Sequence, residues 1–122
     1  MTADTATRVR EVAFAVPLLP GKTATDRDAM RSCWQGERAD AYAAARTRAG
    51  ITRESIWIQS TPAGDMAVVH IEAEDVDAAM REMGSSEDPF DRWFREHVLD
   101  VHGIDVAQPL PPLELVCDFR RE

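Results

Sequence analysis

Three histidines are the side chains of this 122-residue chain that titrate nearest neutrality, and His70 stands in the setting best suited to chemistry. It falls in the middle of a β-rich run, Met66–Ala73, which follows a second such run, Glu54–Ser60. An imidazole there can act as general acid or base on an enolisable small molecule. Trp57 would supply a flat apolar wall, with Gln59 and Ser55 as orienting hydrogen-bond groups. A structural role is the competing reading, with His70 satisfied by Glu72, by Gln59 or by a carbonyl across a subunit interface. Arg53 can hold a substrate carboxylate bidentately, or pair across the hairpin with Glu74. Trp34 and Tyr42 are aromatic residues at helical spacing, which usually serve as core.

Other patterns are absent. His97 and His102 are five residues apart and do not share a helix face, and Cys33 and Cys117 are isolated. No zinc-like spacing results, so neither a metal nor another cofactor is expected; haem ligation by a single histidine is left open. Asp88 and Asp91 read as capping and first-turn residues of a helix rather than paired catalytic carboxylates. There is no phosphate-binding glycine loop, and Ser85-Ser86 has no nucleophile context.

The elements that must position these groups centre on a hairpin over residues 52–75. Thr61-Pro62-Ala63-Gly64-Asp65 supplies the turn chemistry. A four-residue loop, Pro62–Asp65, pairs Trp57 with His70, Ile56 with Ile71, Ile58 with Val69 and Ser55 with Glu72. Because successive strand residues face opposite ways, this sorts Ile56, Ile58, Ala67, Val69 and Ile71 to one face. Arg53, Ser55, Trp57, Gln59, Val68, His70 and Glu72 take the other.

Ahead of the hairpin, Val9–Val16 reads as a strand, and residues 22–49 as one long helix opened at Thr23 or Thr25 and stopped at Gly50. Behind it come a short helix capped by Asp75 and ending at Gly84, then a second helix with Asp88 as N-cap, Pro89 at its first position and Gly103 as stop. A Pro-rich crossing then leads to a last strand, Leu113–Phe119. The order is β-α-β-β-α-β, which predicts an α+β, ferredoxin-like domain over residues 9–122: a four-stranded antiparallel sheet with helices on one face. Residues 1–8 are small and polar and read as a disordered tail. The sheet's other face carries Ala13, Ala15, Trp57, Val68 and Val116, too apolar to stay bare, so a second copy is expected to cover it.

Lys and Arg total 14 against 22 Asp and Glu, a net charge of −8 that disfavours nucleic acid and anionic lipid as partners. No apolar stretch has the length of a membrane span or a leader, and the isolated cysteines suit a reducing compartment, so the cytoplasm is expected.

The order of elements, with GITRESIWIQSTPAGDMAVVHIEAED and DPFDRWFREHVLDVHGID, resembles a bacterial group, without an assigned activity, in the dimeric α/β-barrel superfamily. The likeness covers most of residues 9–119 and implies a homodimer, and since superfamily members often hold ligand between sheet and helices, it implies a cavity that Trp34 and Tyr42 could line with Phe14 and Trp93. The superfamily includes cyclases, isomerases, quinol-forming monooxygenases, haem-degrading enzymes and members without known activity. Two functions follow as expectations. One is a homodimer that binds a small oxygenated, partly apolar molecule and performs a cofactor-free acid–base step through His70, with Trp57, Gln59, Arg53, Trp34 and Tyr42 about the substrate. The other is a non-catalytic homodimer whose sheet face is its interface.

Overall fold

A computed structural model describes residues 9–121. Its elements are β1 (Glu11–Pro17), α1 (Thr23–Gln35), α2 (Ala39–Arg48), β2 (Ile51–Thr61), β3 (Gly64–Ala73), α3 (Val76–Ser85) and α4 (Pro89–His102). The class is α+β, as expected, but the sheet among the described residues has three antiparallel strands, in the order β1-β3-β2.

The expected fourth strand is corrected. Leu113–Phe119 joins no ladder, and Leu115, Val116 and Phe119 are 79%, 82% and 84% exposed. Alternation of apolar residues gives this segment strand character, yet a strand needs a neighbouring edge to hydrogen-bond with. Pro109, Pro111 and Pro112 precede it, donate no backbone N–H, and carry the chain away extended. The segment 1–8, read as a disordered tail, lies outside the described residues.

The hairpin forms with a shorter loop than expected. Thr61 pairs with Gly64, leaving only Pro62 and Ala63 between the strands. The Thr61 hydroxyl accepts from the Ala63 N–H at 3.1 Å and donates to the Gly64 carbonyl at 2.6 Å. Gly64 has φ +126°, a region that side chains disfavour, and so suits the tight return. The register therefore moves by two residues: Trp57 faces Val68, Ile56 faces Val69, and His70 faces Ser55 instead of Trp57. A shift of two preserves which face each side chain takes, so the expected sorting stands.

Below that sheet the helices gather on the aliphatic face. Ile71, Ala73, Val76, Ala79 and Ala49 form one buried cluster, against which Val12, Phe14 and Val69 pack. A second cluster, Cys33, Ala45, Met83, Phe90 and Phe94, lies among the helices themselves. The long helix expected over residues 22–49 is two helices, broken after Gln35. At the break a Cβ on Gly36 would lie 2.7 Å from Ser32 Cα, closer than side chains tolerate, so glycine lets the chain turn back there.

Caps behave as the sequence indicates at three ends. Asp75 accepts from the Ala78 N–H at 3.2 Å, Asp88 accepts from the Phe90 N–H at 3.1 Å, and Gly103 stops α4 with φ +70°. Thr23 is not a cap: it is the first residue of α1, and its hydroxyl donates to the Asp65 carboxylate at 2.6 Å. That contact ties α1 to the start of β3. No helix among the described residues is long and apolar enough to cross a membrane.

Candidate functional site

Strand β2 is one edge of the sheet, and its charged residue Glu54 is on the same side as Ile56 and Ile58. A carboxylate on an aliphatic face must be compensated. Glu54 Oε1 accepts from the Tyr42 hydroxyl at 2.6 Å and from Arg46 Nε at 2.7 Å. Both partners come from α2, four residues apart, so one helical turn delivers them together. The side chains of Arg46 and Glu54 are 6% and 4% exposed, which makes this a buried ion pair.

Arg46 is further enclosed by aromatic rings. Its guanidinium carbon lies 4.5 Å from the Phe94 ring centre and 5.0 Å from that of Tyr42. Asp91, in the first turn of α4, is 4.0 Å from Nη1 and 3.3 Å from Arg48. Nη1 and Nη2 have no hydrogen-bond partner among the described residues, so the rings and the Asp91 charge hold that half of the cation. Burial first, and the Glu54 carboxylate second, raise the Tyr42 hydroxyl far above its ordinary 10. It therefore keeps its proton and remains a donor across the neutral range.

Above this network a cleft of about 670 Å³ opens between β2 and the first two helices. Arg27, Met30, Arg31, Cys33 and Trp34 of α1 and Tyr42 of α2 form one wall; Glu54 to Ile58 and Ser60 of β2 form the other. Residues of both strand parities line it, so the cleft runs along the free edge of β2, where backbone N–H and C=O groups face outward. Its size suits a small organic ligand, and its lining mixes apolar wall with polar groups. Burial pushes the Cys33 thiol upward, so it is apolar lining and not a thiolate nucleophile.

The residues expected to form a site divide between the two faces of the sheet. Tyr42, Trp34 and Trp57 do meet at the cleft. Trp34 is 74% exposed at the rim, and Trp57 borders the cleft because β2 is an edge. His70, Gln59 and Arg53 point to the open face, away from Tyr42 and Glu54. His70 Nε2 lies 2.6 Å from Glu11 and 3.8 Å from Glu72. Arg53 pairs loosely with Glu72 at 3.9 Å, not with Glu74, as the two-residue register shift requires. Phe14 belongs to the core against α3, and Trp93 stacks on His97 at 5.4 Å beneath Arg38, so neither lines the cleft. His97 itself is buried, with Nε2 2.8 Å from Asp26.

Sequence pattern alone assigns no site role to Glu54 or Arg46. A signal for the first existed: Glu54 breaks the aliphatic run on its face of the strand. Nothing local marks Arg46, whose partners lie in β2 and α4.

Compared with protein families, characterised proteins and solved structures, the chain shows no significant match.

Proposed function

We propose that this protein binds a small, partly apolar, oxygenated molecule in the cleft between β2 and the first two helices. The observation that carries the reading is the buried Tyr42–Glu54–Arg46 network bordering a cleft of mixed lining, in which Met30, Ile56 and Ile58 are apolar and Arg27, Arg31, Ser55 and Ser60 polar. Both protein donors converge on Glu54 Oε1, which leaves Oε2 to accept from a ligand hydroxyl or amide. Met30, Ile56 and Ile58 then cover the apolar body of the ligand, and the edge of β2 offers further backbone hydrogen bonds. The proposal is a binding function. An acid–base step by His70 draws no support from this cleft, because His70 faces the other side of the sheet. Cytoplasmic residence is part of the reading, since both cysteines are free thiols.

Methyl-labelled protein titrated with a set of small phenols, hydroxy acids and quinone-like compounds tests it. Shifts confined to Met30, Ile56 and Ile58, weakened at least about ten-fold in Tyr42→Phe, are the expected result. Binding that leaves those methyls unmoved, or that Tyr42→Phe does not weaken, sinks the proposal.

The open face of the sheet favours a second reading alongside the first. Trp57 is 55% exposed there, beside exposed Ala13 and Ala15. A second copy packed on this face would remove that patch from water. Sedimentation should return twice the chain mass, and Trp57→Glu should return the mass of one chain; a wild-type monomer at high concentration contradicts it.

A further inference from the structure

The pairing of β1 with β3 assembles a donor set that no sequence spacing displays. Glu11 is directly opposite Glu72, and His70 is two residues earlier on the same face of β3. One ligand atom from each of the three lies within 4.8 Å of the others. From these positions we infer that Glu11, His70 and Glu72 bind a divalent ion of the zinc class at the border of the sheet's open face.

Three features carry the inference. First, like charges placed directly opposite on neighbouring strands repel, so the Glu11/Glu72 pair is a local conflict that a cation resolves. Second, both carboxylates approach the same nitrogen, His70 Nε2, at 2.6 Å and 3.8 Å. One N–H cannot donate to both, whereas one ion can take a bond from each of the three groups. Third, the geometry needs little change. A tetrahedral ion with bonds of about 2.0–2.1 Å holds its ligands roughly 3.4 Å apart. His70 and Glu11 must separate slightly and Glu72 must draw in, and both glutamates are exposed enough to turn. Arg53, paired with Glu72 at 3.9 Å, can swing into solvent.

An imidazole with two carboxylates suits zinc, cobalt(II) or manganese(II), and the nitrogen donor disfavours magnesium and calcium. Three protein ligands leave the fourth position facing outward, where water or a small anion can join the ion. Glu11 and Glu72 also border a shallow depression of about 310 Å³, with Arg10, Thr52 and Glu74 on its rim. The site is across the sheet from the cleft, so each proposal can fail without the other.

The test is calorimetric titration of the chelator-treated full chain with Zn²⁺ alone, followed by the visible spectrum of the Co²⁺ form. One ion per chain is expected, with Co²⁺ bands of low coordination number. His70→Ala and Glu72→Gln should each weaken binding at least about ten-fold. Glu72→Gln is isosteric on an open face, so it decides the matter even if His70→Ala fails to fold. No saturable binding, unchanged affinity in Glu72→Gln, or equal affinity for Mg²⁺, as a merely acidic surface would give, overturns the assignment.

Discussion

Glu54 is the residue on which the cleft depends, and Arg46 is the residue on which Glu54 depends. Removing one partner of a buried pair leaves the other charged and unsolvated, which costs about 3–5 kcal/mol. Arg46→Ala is therefore expected to lower unfolding free energy by that amount in a urea titration. It also removes the cation from the faces of Phe94 and Tyr42. A loss below about 1 kcal/mol, as exposed ion pairs give, would mean the network is wetter than its 6% and 4% exposures indicate. At this scale the sequence was partly legible. Strand alternation placed His70, Trp57 and the aliphatic residues on their correct faces, whereas Trp34 and Tyr42 share a wall through the packing of two separate helices. It did not reveal which polar groups would meet, because Tyr42, Arg46, Glu54 and Asp91 come from three elements whose packing local rules do not determine.

Among the elements, the hairpin and the helix caps were readable because short-range chemistry decides them: Pro and Gly in the turn, Asp before a helix, Gly after one. The loop length was not, since two- and four-residue loops sort the faces identically and only the Thr61 hydroxyl and the Gly64 backbone favour the shorter. The break at Gly36 was hidden by alanine-rich, helix-favouring residues on its C-terminal side. The final segment misled because its alternation satisfies a strand's pattern without a partner edge. Two consequences follow. Ending the chain after Gln108 should change stability by about 0.5 kcal/mol or less, because Pro109 to Arg121 is exposed and joins no ladder. A larger loss in thermal unfolding would show that this segment packs on the body in solution. The link between α1 and β3 should respond to acid. The Thr23 hydroxyl first, then Ser60, hold the Asp65 carboxyl below its ordinary 3.8. A depressed folded value means the unfolded chain takes up the proton first as pH falls. The contribution is thus complete above the ordinary value and is lost as pH drops through the lower, folded one. Thr23→Val should flatten that part of the stability–pH curve below pH 4, while leaving the neutral region lower by a constant amount; an unchanged acid limb would rule the contact out.

Among the described residues the fold is a three-stranded sheet with helices on one face and the other open. The two faces divide the chemistry expected of a single site. The cleft side holds Tyr42, Glu54 and the aromatic rim, and the open side holds His70 with two glutamates. The α+β class was legible in the sequence, but the four-stranded ferredoxin-like order was not, because it depends on whether the C-terminal segment finds an edge. The claim that a small molecule occupies the cleft is tested most directly by a crystal structure of protein purified from its native host. The account expects density of ligand size along β2, within hydrogen-bond distance of Tyr42 or Glu54 and against Met30 and Ile58. A cleft closed by α1, or filled by Trp34 folding inward with a bound molecule found only elsewhere, would contradict it.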